Sequence, residues 1–306
     1  MSISAVLPLK ATGSYGADDL NRAHILFKSL TIFAEPNLFS EFYVVVPDDE
    51  VILVKETFSR WNTLPIIVIP ESQLLPELKN YPKMRGWRKQ QLIKIAASKL
   101  ISSDFYLTFD ADIVALRKFS EKDLIVSGKA ILQYEPRNRH PKWWKASARL
   151  LKTSHKIGDK TRGMSVTPAI LATKICQKLM TDIQSQSKKY TWAEIICNLH
   201  IPSNPRNWWI GNYLKLKWTE YSLYYLCSQK HDLFDRYHIE AGTDSLPQLL
   251  FVNDTLDYDN WDPANSFIDT NPGLFCIIGS KTATNPKNVW EKIYPFLSPD
   301  DPHLLQ

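Results

Sequence analysis

The chain has 306 residues, of which 44% are hydrophobic and 23% charged, with a formal net charge of +5. This length suits one large domain or two modest ones, and the composition excludes a disordered chain. No apolar run reaches the roughly 18 residues of a membrane span, and the opening MSISAVLPLKATGS has no basic region before a long apolar stretch, so neither a membrane helix nor a signal peptide is expected.

Residues 4–9 (SAVLPL) read as a short strand, followed by the polar, turn-like KATGSYGADD. A helix is predicted over 20–33, with Asp18 and Asp19 as capping candidates. FYVVVP (42–47) and PIIVIP (65–70) are the next two strands, with a helix drawn from DEVILVKETFSRW between them. WRKQQLIKIAASKL (87–100) is a helix with apolar positions at Leu92, Ile93, Ile95, Ala96 and Leu100. DFYLTFD (104–110) is the fourth strand. The alternation predicts an α/β fold, an open and mostly parallel sheet flanked by helices. In such sheets ligands sit beyond the carboxyl ends of the strands.

Further on, KAILQY (129–134) reads as a strand. In GMSVTPAILATKICQKLM (163–180) an extended segment leads to Pro168, which is expected to open a helix running to Met180. TWAEIICNLH (191–200) and NWWIGNYLKLKWTEYSLYYLCSQ (207–229) look helical, and LFCIIG (274–279) is the last strand. The pattern suggests a nucleotide-type half, 1–160, and a more irregular half, 161–306, joined as one domain. Cys176, Cys197, Cys227 and Cys276 are far apart and form no CxxC. They read as buried thiols of a reducing compartment, so a cytoplasmic location is expected.

Charge is unevenly spread. Between Glu77 and Asp104 there is no acid, but there are Lys79, Lys83, Arg85, Arg88, Lys89, Lys94 and Lys99. Residues 137–156 hold Arg139, Lys142, Lys145, Arg149 and Lys152 around Trp143 and Trp144. Such patches attract phosphate-bearing ligands, and the second fits peripheral contact with the inner face of an anionic membrane or an anionic polysaccharide precursor. No nucleic-acid module is recognisable, and a pair of aspartates would repel a phosphate backbone, so nucleic acid is not the expected partner.

That pair is Asp110 and Asp112, in FYLTFDADIVAL. An aspartate at the carboxyl end of a strand points into the crevice, and its i+2 neighbour can bend back to the same side. Two carboxylates then suit one hard divalent cation, Mn2+ or Mg2+, which keeps positions open for a diphosphate. Asp104, at the other end of the strand, takes a structural role. DADIV also fits the D-x-D of phosphoaspartate hydrolases, which use the first aspartate as nucleophile. Those enzymes carry the pair near the N-terminus and a later strand ending in two acids, neither of which is found here.

The stretch GWRKQQLIKIAASKLISSDFYLTFDADIVAL resembles the core of a GT-A-type glycosyltransferase. It is similar, more narrowly, to a bacterial GT-A-like group that pairs a G-W-x-x-Q-Q-x-x-K helix with Y-L-x-x-D-A-D and a later W-T-E-Y-x-x-Y, here WTEYSLYY (218–225). The resemblance spans roughly residues 3–279 and implies a GT-A-like fold, a nucleotide-sugar donor, a metal at Asp110 and Asp112, and a saccharide acceptor, which makes 161–306 the acceptor-binding half. On this resemblance Arg85, Arg88 and Lys89 would reach the diphosphate, with Gln90 and Gln91 on base or sugar. Gly163 would permit close backbone approach, Trp218 and Tyr221 would line the acceptor side, and Asp110 would also contact the donor. Glu220, an acid among aromatic residues, is the candidate base. GT-A enzymes often place a third metal ligand, a histidine, near the last strand. Here Ser280 or Lys281 stands in that region, and Lys281 would neutralise diphosphate instead. Glu194 and Asp244 are weaker acidic candidates, with capping as their simpler role. His231 and His238 are expected to pack rather than ligate. A non-catalytic sugar- or nucleotide-binding protein on the same scaffold is the second functional class.

Overall fold

A computed structural model describes residues 3–11, 18–201, 209–242, 248–250, 258–270, 272–278 and 284–297. Its central sheet is built from strands β1 (Ile3–Pro8), β2 (Phe39–Val46), β3 (Ile66–Pro70) and β4 (Phe105–Thr108), which are mutually parallel. After β4 the chain turns at Asp110–Asp112 into β5 (Ile113–Ala115), outside that sheet. A fifth strand of the central sheet, β6 (Ala169–Ala172), lies antiparallel to β4, so the order is β6-β4-β1-β2-β3. The expected α/β class, an open and mostly parallel sheet flanked by helices, is the one formed.

Every residue of β1 is buried, as a central strand covered on both faces requires. Its one polar side chain, Ser4, is satisfied by Ser103 Oγ at 2.8 Å. Helices α1 (Asp19–Phe33), α2 (Val51–Phe58) and α3 (Gly86–Ala96) follow the first three strands. Asp18 caps α1 by accepting from the Asn21 amide at 3.0 Å, the bland role expected of this pair of acids. Asp19 pairs instead with Arg22.

The segment after Gly163 departs from expectation. Pro168 does not open a helix; it precedes β6, whose residues Ala169 and Ala172 pair with Thr108 and Phe105. The four residues AILA find a ladder on the free edge of β4, and that pairing overrides the helical reading. The helix begins only at α5 (Thr173–Gln184), after α4 (Pro141–Leu151) has crossed nearby. Then come the expected helix Trp192–Asn198 and α6 (Glu220–Lys230). The predicted strand at 129–134 forms as Lys129–Leu132, in a small sheet with Ile125–Val126 and His238–Glu240. The final strand, β7 (Gly273–Ile277), pairs antiparallel with β5, and α7 (Pro286–Leu297) follows.

A cluster of buried side chains takes in residues from Ile3 to Phe275, on both sides of position 160. A smaller one joins Ile25 of α1, Val114 of β5, Cys276 of β7 and Trp290 and Ile293 of α7. All four cysteines are buried free thiols. Among the described residues no helix is long and apolar enough to cross a membrane.

Candidate functional site

Beyond the carboxyl end of β4 lies a cleft of about 190 Å³. Its walls come from separate parts of the chain: Trp87, Gln90, Gln91 and Lys94 of α3, Asp110 and Asp112 after β4, Trp143 of α4, Ser165 to Thr167 before β6, and Thr219, Glu220 and Tyr221 at the start of α6. The α3 residues recur at i, i+3, i+4 and i+7, one face of a helix.

At the floor stands Lys94. Its Nζ is 2.8 Å from Asp110 Oδ1, 3.1 Å from Thr167 Oγ1 and 3.3 Å from Glu220 Oε1. An ammonium has three N–H donors and no acceptor, and here three oxygens meet it. The Lys94 side chain is 3% exposed and that of Glu220 7%, whereas that of Asp110 is 36% exposed and opens to the cleft. Burial opposes the charge on Lys94, but Asp110, Tyr221 and Glu220 outweigh it and hold its pKa well above the ordinary lysine value. Burial raises the Glu220 carboxyl, Lys94 pulls it back and Asp110 pushes it up again, for a net rise.

A directed chain of hydrogen bonds runs on from the ammonium. The Thr108 hydroxyl donates to the Ala169 carbonyl at 2.9 Å, so toward Tyr221 Oη, 2.8 Å away, it is the acceptor. Tyr221 then accepts from Thr167 Oγ1 at 2.9 Å, and Thr167 accepts from Lys94. The chain locks α6, β4 and the loop before β6 around the cleft.

Glu220 is the first residue of α6. Thr219 caps the helix by accepting from the Ser222 amide. An acid at a helix N-terminus is favoured by the helix field. Asp112 lines the cleft beside Asp110, and its carbonyl accepts from the Ile278 amide at 2.8 Å, which ties it to the end of β7. Asp19 lies close enough to Asp110 to feel its charge. Burial pushes the Asp19 carboxyl up to about 6, against the pull of Arg22 and with a further push from Asp110.

The residues singled out in sequence divide into two groups. Asp110, Asp112, Gln90, Gln91, Glu220 and Tyr221 meet in the cleft. Arg85, Arg88, Lys89, Gly163 and Trp218 do not line it. The Arg88 guanidinium donates to the Trp218 carbonyl at 2.6 Å and the Leu216 carbonyl at 2.7 Å, and lies over the rings of Trp87 and Trp218. It clamps α3 to the approach to α6, which commits the guanidinium to backbone carbonyls. Lys89 is paired with Glu71 at 2.8 Å. Trp218 is fully buried, its indole N–H donating to His200 Nε2 at 3.0 Å. Arg85 is exposed just before α3. Gly163 faces the Trp144 ring rather than the cleft; a Cβ there would stand 2.3 Å from Trp144 Cη2. Lys281 and Asp244 fall outside the described residues, as does Ser280. Glu194 caps its own helix through Thr191.

Lys94 is the residue the sequence reading missed. It was visible there as one of seven lysines and arginines between Glu77 and Asp104 and as the closing lysine of G-W-x-x-Q-Q-x-x-K, with no role attached to it. The signal was its register with Gln90 and Gln91 on one face of the helix.

Two sets of side chains bear on cation binding. Asp110 and Asp112 bring carboxylate oxygens, the donor type of Mg2+ and Mn2+, to the cleft, and Asp110 Oδ1 is paired there with Lys94 at 2.8 Å. Elsewhere Asp182, Cys227 and His231 bring ligand atoms within 4.8 Å of one another. Asp182 is already paired with Lys178 and Lys230, each at 3.0 Å, and with His231 at 2.6 Å, so its charge is compensated by the protein. His238 Nε2 shares a hydrogen bond with the Tyr224 hydroxyl in the core.

Among solved structures the chain is similar to mouse xyloside xylosyltransferase 1 in its apo form, at 12% identity and TM-score 0.48, covering 93% of this chain and 99% of that one. It is similar also to the apo WbbM bifunctional glycosyltransferase, at 11% identity and TM-score 0.46, covering 97% of this chain and 49% of that one, so it spans about half of that protein. A third is glucosyl-3-phosphoglycerate synthase from Mycobacterium tuberculosis with Mn2+, uridine-diphosphate and glucosyl-3-phosphoglycerate, at 15% identity and TM-score 0.36, covering 60% of this chain and 62% of that one. No curated protein sequence matches the chain. Residues 1–300 match the family of unknown function DUF6492, and the chain belongs to that family.

Proposed function

We propose that the chain is a glycosyltransferase, moving a sugar from a nucleotide-diphosphate-sugar to a hydroxyl of a saccharide acceptor. The observation that carries this reading is the meeting of Asp110, Asp112 and Glu220 in one cleft beyond the carboxyl end of a parallel strand, with Lys94 between the acids. A cleft lined by two half-buried carboxylates and a third, buried one separates two tasks.

Asp110 and Asp112 would hold the divalent ion, which when bound neutralises charge on the departing diphosphate. Gln90 and Gln91, which line the same cleft, would orient the donor. Glu220 is the base for the acceptor hydroxyl: burial raises its proton affinity, and its contact with Lys94 keeps the carboxylate oriented. Tyr221 fixes the geometry through Thr108 and Thr167. Lys281, beyond β7, is assigned to the diphosphate on resemblance alone.

A panel of nucleotide-sugars with Mn2+ or Mg2+ tests the reading, with D110N/D112N as control. Donor binding and turnover are expected in the wild type and lost in the double variant. Unchanged donor binding in D110N/D112N removes the cation role of the pair. Phosphate release from small phosphoesters by the wild type would point to hydrolase chemistry instead.

A further inference from the structure

The mouth of the cleft carries rings that the proposed chemistry leaves unused. Trp87 and Trp143 both line it, their centroids 6.4 Å apart and their planes at 41°. Trp87 is 44% exposed. His140 lies flat on Trp143, centroids 3.8 Å apart and planes at 17°. Stacking stiffens the Trp143 ring, and Trp144 beside it is buried under the Arg137 guanidinium.

The charge around these rings has one sign. Positions 78–103 and 136–158 contain no acidic residue. Several cations of these stretches are committed elsewhere: Arg88 and Arg137 to backbone carbonyls, Lys89 to Glu71, Arg139 to Glu135. Lys83, Arg85, Lys142 and Lys145 are exposed, and no ion pair joins them to an acid among the described residues. Arg85 lies two positions from Trp87, and Lys142 and Lys145 flank Trp143.

We propose that Trp87 and Trp143 form the acceptor subsite and that the acceptor is an anionic saccharide. This rests on the glycosyl-transfer reading and names its substrate class. The apolar face of a sugar ring packs on an indole face, and a carboxylate or phosphate on the same saccharide meets the cations at the rim. Trp143 borders the cleft that holds Glu220, so a sugar stacked there brings its hydroxyls toward the proposed base. An anionic membrane fits less well. A membrane anchor projects its rings outward, whereas Trp143 is half-buried in the cleft wall and covered on one face by His140.

The test is tryptophan-fluorescence and calorimetric titration with an α-1,4-linked galacturonate tetramer and with the neutral galactose tetramer. The acidic tetramer is expected to bind at least tenfold more tightly than the neutral one. W143A and W87A should each weaken that binding about tenfold. R85S/K142S/K145S, confined to exposed side chains, should erase the preference for the acid and leave the fold intact. Equal affinity for both tetramers, no binding of the acidic one, or full binding by W87A and W143A overturns the proposal. So does capture of the protein on phosphatidylglycerol vesicles that the acidic tetramer does not displace. Nucleotide-sugar binding is titrated separately. Donor binding without tetramer binding fails the subsite alone, and tetramer binding without donor binding fails the transferase reading alone.

Discussion

Lys94 Nζ stands 2.8 Å from Asp110 Oδ1, joining a side chain that is 3% exposed to one that is 36% exposed. The buried cation therefore reaches the cleft surface through an acid. It also contacts Glu220 Oε1 at 3.3 Å, so one ammonium serves both carboxylates.

Removing that ammonium leaves Glu220 buried beside a second acid with no compensation. K94M is expected to lower unfolding stability by about 3–5 kcal/mol, the usual loss when a buried pair is broken from one side. K94M/E220Q should recover part of this, because the uncompensated carboxylate is gone. Urea unfolding of the three proteins measures both effects, and equal stability of K94M and wild type would refute the shared-cation account.

E220Q keeps a carbonyl oxygen for Lys94 but cannot take a proton. If Glu220 is the base, turnover falls by roughly 10²- to 10⁴-fold while donor affinity holds. Steady-state rates alongside donor calorimetry separate the two. A variant with full turnover would return Glu220 to a purely structural role.

Gly163→Ala places a Cβ 2.3 Å from Trp144 Cη2, and the ring has little room to move. Arg137 lies 4.2 Å over it and Tyr225 packs edge-on at 5.7 Å. Overpacking of this kind costs about 1–3 kcal/mol. A lower thermal midpoint with altered tryptophan emission is expected, without loss of donor binding, since Gly163 is outside the cleft.

Acid should unfold the protein through its buried histidines. His24 Nδ1 accepts from the Trp61 indole at 2.8 Å, which keeps that ring neutral in the fold, and His238 Nε2 shares a 2.6 Å hydrogen bond with the Tyr224 hydroxyl in the core. Burial lowers each pKa from 6.5 to about 4. The unfolded chain then binds more protons than the native one between these values. Stability is full above about pH 6.5 and falls as pH drops toward 4, by about 1.4 kcal/mol per unit for each histidine. Urea midpoints across this window, with H238Q expected to show a shallower fall, check the sign and the source.

Much of the architecture was legible because its signals are local. The wholly buried β1, the alternation up to β4 and the turn at Asp110–Asp112 can be read from neighbouring residues. β6 was not, since AILA becomes a strand only because β4 offers it an antiparallel edge. Of the candidate site, Asp110, Asp112 and Glu220 announced themselves as acids in apolar or aromatic surroundings. The basic residues did not sort themselves. Arg88, Lys89 and Lys94 sit on one helix, and composition treats them alike.

By itself, then, the sequence determined the order of strands and helices as far as β4, the place of the aspartate pair at a strand end, and an acid amid aromatic residues. Tertiary structure decided which lysine joins the acids, because that depends on how α3 meets α6, whose Lys94 and Glu220 are 126 positions apart. It likewise decided that Trp87 and Trp143, from α3 and α4, share one lip while Trp144 and Trp218 are core. Side-chain direction around a helix follows from local periodicity; what stands opposite that face is set only when the helices pack.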